Sequence, residues 1–292
     1  MTRRTFVVAG LAATSAVAAS PQIVDTHIHL YDPARPQGVP WPPKSDALLY
    51  KPMLPGAYAA MVRPLGVTRA VVVEASAWVE DNQWILDLAK DHPVIAGLVG
   101  HLSPGTSEFR RHLARFSRNP LFRGIRLNGA AITGGVASAA FIEDLQRLAG
   151  AGLMIDAIGN ASMVPSLLTV TDKVPTLRVA IDHMPSEPPG WSESRTAMRE
   201  LARRPQIYSK VSGVLKTASD DLNSYKESLD DVWEMFGPGR VMYGSNWPVS
   251  ERVAPYAVVL GVMKKYLAGK DAATAEKYFS KNSQACYGLK AV

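Results

Sequence analysis

The stretch "IVDTHIHLYDPARPQG", residues 23–38, decides the fold class. It opens as an apolar, β-branched run, carries His27 and His29 one residue apart, and ends among prolines. The first strand of an open, doubly wound sheet normally runs into a glycine-rich phosphate loop, and "THIHLYDPARPQG" is not one. Outward from it, seven more apolar runs recur. They are "RAVVVEA" (69–75), "IAGLVGHL" (95–102), "FRGIRLN" (122–128), "GLMIDAIG" (152–159), "RVAIDHMP" (178–185), "IYSKVSGV" (207–214) and "RVMYGSNWP" (240–248). Between them lie segments with apolar positions three and four residues apart, including 81–91, 106–118, 138–149, 194–204 and 219–236. Strands apolar along most of their length are buried on both faces, as in a parallel sheet covered by helices. Eight such alternations predict an α/β chain folded as a single-domain (β/α)8 TIM barrel.

The first residues read differently. "MTRRTFVVAGLAATSAVAAS" has paired arginines (Arg3, Arg4), a short apolar run and Ala16-Val17-Ala18, the layout of a secretory signal. Residues 1–19 are expected to be a cleaved signal of twin-arginine type, leaving a barrel domain over 20–292 that is exported to the periplasm or secreted. No later run is long and apolar enough to cross a bilayer, so no stable membrane association is expected after its removal. Loss of Arg3 and Arg4 lowers the net charge from +6 to +4, without a long basic run, which excludes nucleic acid as a partner. Cys286 is the one cysteine, so the exported chain is held by its core and not by an internal disulfide. The proline-rich segment 31–52 is expected to loop over the barrel mouth; with 184–193 it would set substrate choice.

Alternation along a strand puts Asp25, His27 and His29 on one face, the lumen of a barrel. Two imidazoles spaced i, i+2 suit one divalent ion. Polar residues recur at the other strand ends: Glu74, His101, Arg126 and Asn128, Asp156, Asp182 and His183, Lys210, and Asn246. Buried charges are costly unless paired, and barrel active sites are built on this rim. His92 and His112 fall in helical or turn contexts and read as surface residues. Trp41, Trp78 and Trp247 fall in mouth loops, where tryptophans either pack on their neighbours or stack on a ligand ring.

"VDTHIHLYD", "IDHMP" and "RVMYGSNWPVS", with "EDNQWILDLAKDHPVIAGLVGHL" and "FRGIRLNG" between, resemble the amidohydrolase superfamily. More narrowly they resemble its amidohydrolase-2 group of TIM-barrel metal-dependent hydrolases, which includes sugar-acid and aromatic-acid lactonases. The resemblance runs from about residue 22 to "YFSKNSQACYGL". It implies that His27 and His29 hold a metal with His183 beside it, and that Arg126 and Lys210 hold a carboxylate or polarise a carbonyl. The family pattern G-S-D-W-P carries a proton-accepting Asp where this chain has Asn246. An amide is no general base at neutral pH, which leaves Glu74, Asp156, Asp182 or a neutral His183 to take the proton. The family's strand-5 histidine is also missing, with Asp156 in its neighbourhood, which argues against two metals and for one or none; the single divalent metal expected is zinc.

The expectation is a metal-dependent hydrolase that opens a lactone or similar cyclic ester of a sugar acid or small organic acid. Its expected catalytic residues are His183, Asn246, Arg126, Lys210 and Asp156, with substrate contacts from Glu74, Asn128, Trp247 and His101. The small-molecule substrate would carry a carboxylate or many oxygens. A lyase or decarboxylase of the same group, or a non-catalytic sugar-acid binder, are the alternatives that Asn246 raises.

Overall fold

The structure is a computed structural model that describes residues 22–184 and 195–291. The expected signal and nearly all of the loop 184–193 lie outside those residues. Eight parallel strands run in chain order: β1 (Ile23–Ile28), β2 (Val67–Val73), β3 (Ile95–Gly100), β4 (Phe122–Asn128), β5 (Met154–Ile158), β6 (Val179–Met184), β7 (Ile207–Val211) and β8 (Val241–Tyr243). A bridge between Ile28 and Trp247 brings the end of β8 back to β1, where the Asn246 amide donates to the His27 carbonyl at 2.9 Å and the His29 amide to the Trp247 carbonyl at 2.8 Å. The sheet is a nearly closed TIM barrel in one domain, as expected.

Helices pack outside it because their apolar positions return on one side. Phe109–Phe116 buries Phe109, Leu113 and Phe116, spaced four and three residues apart. Ala139–Gly150 starts where the Ser138 hydroxyl accepts from the Phe141 amide, and it buries Phe141, Ile142, Leu145 and Leu148. Two apolar layers result. One lies between sheet and helices and includes Ile28, Val72, Ile125, Ile155 and Ile181. The other fills the barrel interior with Val24, Val71, Val99, Met154, Ala180 and Met242, joined by Cys286, Tyr287 and Leu289 from the closing helix Asn282–Tyr287 and the residues after it.

The strict alternation expected along β1 does not hold. Asp25 pairs with Ala70 and Ile28 with Val72, so β1 spends one residue more than β2 over that span. This bulge re-phases the strand. Val24 belongs to the interior, whereas Asp25 turns outward, and its Oδ2 accepts 2.9 Å hydrogen bonds from Tyr58 and Tyr256 on two outer helices. Its Oδ1 accepts from the amides of His27 at 3.1 Å and Ser245 at 2.8 Å. Asp25 is thus a buried rivet between β1 and β8, and of the three polar residues only His27 and His29 face the lumen. A second bulge lies in β6, where Ile181 pairs with Ser209 and Met184 with Val211. It turns both Asp182 and His183 inward, with His183 at φ 61°.

Residues 31–52 form no regular helix or strand. The segment is tied at its base by paired hydrogen bonds between Tyr31 and Met53, and along its length by Arg35 to Asp81 at 2.6 Å and by Arg252 to Asp46. Its Trp41 ring stands 5.8 Å from the His29 ring, at the barrel mouth.

Candidate active site

The carboxyl ends of the strands surround a cleft of about 470 Å³. Glu74, His101, Arg126, Asn128, His29, His183 and Asn246 all line it, together with Trp41 from the loop above. Hydrogen-bond partners fix the state of each imidazole. Nδ1 of His29 lies 3.0 Å from the Val73 carbonyl, which only accepts, so Nδ1 carries the proton and Nε2 is a bare lone pair. Nδ1 of His27 makes no hydrogen bond but faces the acceptor Oδ1 of Asp182 at 3.5 Å, which favours the proton on that nitrogen. His183 sits between Arg126, whose Nη2 is 3.4 Å from its Nε2, and Ser212, whose hydroxyl is 3.0 Å from its Nδ1. A guanidinium only donates, so Nε2 of His183 is also bare, and Nδ1 donates to Ser212.

Burial, the largest influence on each ring, disfavours the charged form. It brings His29 down to about 3 and His183 to about 4, and it pushes His27 well below the ordinary imidazole value. The neighbouring Arg126 acts in the same direction on His29 and His183. All three rings are therefore neutral at pH 7. The bare Nε2 atoms of His27 and His29 point at each other across 3.3 Å. Two lone pairs at that distance repel unless a cation lies between them, and two nitrogens on one tetrahedral zinc at 2.0–2.1 Å stand about 3.3 Å apart. His27, Asp182 and His183 also offer one ligand atom each within 4.8 Å of one another. Imidazoles whose far nitrogen is held by a carbonyl, a carboxylate or a hydroxyl match the outer shell of metal-binding histidines. The residues present fit a divalent ion.

Lys210 and Asp156 lie elsewhere. Both are fully buried below the cleft, with Lys210 Nζ hydrogen-bonded to Oδ2 of Asp156 and 3.0 Å from Oδ1 of Asp182. Asp182 in turn holds Arg126, its Oδ2 accepting from Nε at 3.1 Å. Burial alone would raise Asp182, but Lys210, His27 and Arg126 hold it well below the usual carboxylate range. Asp156 goes the other way: burial, assisted by the Asp182 charge, lifts it to about 7 against the pull of Lys210. The expected contact of Lys210 with substrate is corrected accordingly. It is the centre of a buried ion cluster that fixes Asp182, and through it Arg126 and His27.

Trp247 is corrected too. Its ring packs 5.2 Å from that of Tyr58, its Nε1 donates to Glu251 at 2.8 Å, and it does not line the cleft. Trp78 is 39% exposed, whereas Trp41 faces the cleft. Two residues escaped the sequence reading. Ser212 orients His183 from both its ring and its backbone amide, the latter at 3.2 Å. Gly244 leaves room for the site, since a Cβ there would stand 2.9 Å from Cβ of His27 and 3.1 Å from Cβ of Ser212. Only the "S" of "KVSG" two residues after Lys210, on the same face of β7, could have pointed to the first.

Neutral imidazoles and a guanidinium held in place by buried carboxylates, at the mouth of a TIM barrel, put this protein among the barrel hydrolases. The chain belongs to the amidohydrolase family, whose family model matches residues 24–289. It is 31% identical over 235 residues to an L-fucono-1,5-lactonase of Burkholderia ambifaria, covering 78% of this chain and 80% of that one. Among solved structures, a zinc-bound amidohydrolase from Burkholderia multivorans superposes with a TM-score of 0.82 at 23% identity, over 92% of this chain and all of that one. A structure described as a 2-pyrone-4,6-dicarboxylic acid hydrolase, from Pseudomonas putida, superposes with a TM-score of 0.74 at 20% identity, over 94% and 100%.

Proposed function

We propose that this hydrolase opens a neutral, hydroxyl-rich lactone, the cyclic ester of a sugar acid. The similarity to an L-fucono-1,5-lactonase supports lactone chemistry, and the charge of the cleft selects among lactones. Arg126 is the one cation lining it among the described residues, and Asp182 already neutralises it at 3.1 Å. Glu74 adds a carboxylate to the wall, 3.4 Å from Nδ1 of His101. Apart from an ion on His27 and His29, no spare positive charge is left on the lining for a substrate carboxylate, while Glu74, His101 and Asn128 offer partners for sugar hydroxyls. Of the two substrate chemistries expected from the sequence, many oxygens fits and a carboxylate does not. This charge balance is the observation that carries the reading.

The chain's own groups then have the following work. Arg126 donates to the lactone carbonyl and stabilises the negative charge that grows there. Nε2 of His183, bare and neutral above about pH 4, takes the proton of the attacking water as its oxygen bonds to the carbonyl carbon. As the ring C–O bond breaks, the same nitrogen returns the proton to the leaving oxygen, which becomes a hydroxyl. Asn246 hydrogen-bonds water or substrate without exchanging a proton. Lys210, anchored by Asp156, keeps Asp182 ionised and in place. Trp41 covers the ring from above. A divalent ion held by His27 and His29, with His183 adjacent, would supply Lewis-acid activation of carbonyl or water; zinc is the ion proposed.

A panel of neutral six-membered sugar lactones beside 2-pyrone-4,6-dicarboxylate, followed by acid release, tests the proposal. Turnover of the neutral lactones with at least tenfold higher kcat/KM supports it, and a preference for the dicarboxylate refutes it. We also propose that residues 1–19 direct export. Replacing Arg3 and Arg4 with Lys should then retain the protein in the cytoplasm, as cell fractionation would read.

A further inference from the structure

At the end of the barrel opposite the cleft, four arginines form one interior layer. Arg69 in β2, Arg123 in β4, and Arg178 and Arg240 immediately before β6 and β8 come from alternate strands, the arrangement by which barrel interiors are tiered. Three of them stand two residues before Val71, Ala180 and Met242 of the interior cluster and share their face. Arg123 turns inward at an irregularity in the β3–β4 register, and its Cγ would be 2.8 Å from a Cβ at Gly97. All four are half-buried. Among the described residues no carboxylate lies within 4.0 Å of any of them; the arginines that pair with acids are elsewhere in the chain.

Some of their donors serve the fold. Arg69 donates to the Lys290 carbonyl at 2.7 Å, Arg178 to the carbonyls of Ala285 (3.0 Å) and Gly152, and Arg240 to those of Arg204 and Ile207 at 2.9 and 3.0 Å. Each guanidinium has five N–H groups, so these bonds leave most of them free. Arg123 makes no such bond, and its Nε is buried without a partner. Nη1 of Arg123 and Nη1 of Arg178 lie 3.9 and 3.8 Å from the position of a Cβ at Gly288, so the two groups converge on one point. Burial lowers Arg123 from the ordinary guanidinium value, and the charges of Arg69 and Arg178 lower it further. Converging like charges with unused donors and no acid beside them among the described residues describe a site for an anion.

We propose that Arg69, Arg123 and Arg178 form an oxyanion site of the phosphate class at the amino-terminal end of the barrel, separate from the cleft. Guanidinium forks match tetrahedral oxyanions, whereas chloride presents no paired acceptors. Calorimetric and thermal-shift titration of the full chain with inorganic phosphate, against chloride at equal ionic strength, tests it. Saturable binding of one phosphate is expected, with Tm rising about 5 °C at a hundredfold excess over Kd. Arg123→Gln should weaken it at least tenfold. Arg69→Gln carries the same test if the first variant does not fold. No response beyond that of chloride, or undiminished affinity in the folded variants, would overturn the proposal. So would phosphate binding that emerges only when residues 291 and 292 are deleted, because the chain's own terminus would then be the occupant.

Discussion

Asn246 stands where the family pattern has a proton-accepting Asp, and its φ of 60° is one that Asn and Asp both tolerate. Asn246→Asp should therefore fold normally. With Nε2 of His183 as the base, that change should alter kcat for lactone opening by less than about tenfold. His183→Asn should lower it by about 10²–10⁴, the usual worth of a positioned base. Asn is the replacement of choice because His183 also has a left-handed φ, 61°. Stopped-flow or pH-stat rates on the two variants, with melting curves to confirm folding, make the comparison. A large gain in Asn246→Asp would show that water activation in the native enzyme does not run through His183. His27, His29, Arg126 and His183 were legible as site residues because their types are costly at strand ends. The burial of Lys210 and Asp156 was not legible, since a charged residue in a strand reads the same whether it meets substrate or a hidden partner.

At the scale of the element, two bulges decide which side chains meet. Counting by twos along β1 placed Asp25 with the histidines, but the extra residue before Ile28 sends it outward to Tyr58 and Tyr256. The matching irregularity in β6 lets consecutive residues Asp182 and His183 both face inward. A period of two is a property of regular strands, and nothing in "DTHI" or "DHMP" announces where it fails. Strand positions and helix faces, by contrast, follow from apolar periodicity, and all eight expected strands appear, although β8 is confined to Val241–Tyr243 of the expected 240–248. The close approach of β8 to β1 supplies a test at this scale. Gly244→Ala inserts a Cβ 2.9 Å from Cβ of His27. Overpacking of that kind costs about 1–3 kcal/mol, so Tm should fall by about 2–8 °C. Activity should fall further than the loss of folded protein explains, because His27 is the group displaced.

For the whole molecule, the buried titrating groups set the response to pH. In the unfolded chain His27, His29 and His183 take up protons as pH falls through about 6.5. In the fold His29 does so at about 3 and His183 at about 4, with His27 also lowered. Between those limits the unfolded state binds more protons, so stability falls as pH falls. Asp156 opposes this. Raised to about 7, it keeps in the fold a proton that the unfolded chain has lost above about 3.9, so its contribution declines as pH rises toward 7. Asp25, which burial also raises, acts the same way as Asp156, and three rings outweigh the two carboxyl groups. The Tm of metal-free protein should rise from pH 4 to pH 7, and in Asp156→Asn, though lower throughout, it should rise more steeply. Calorimetry across that range reads both slopes, and a fall in Tm from pH 4 to 7 would contradict the neutral, buried imidazoles.

Those imidazoles, backed by Asp182, Ser212 and the Val73 carbonyl and facing Arg126, are the core of the functional account. Acid release from a neutral six-membered sugar lactone, followed by pH-stat for the native protein beside His183→Asn, is the decisive measurement. The expected result is saturable release well above spontaneous ring opening, reduced at least a hundredfold in the variant while Tm holds. Release at the spontaneous rate, or a variant as fast as the native protein, would contradict it.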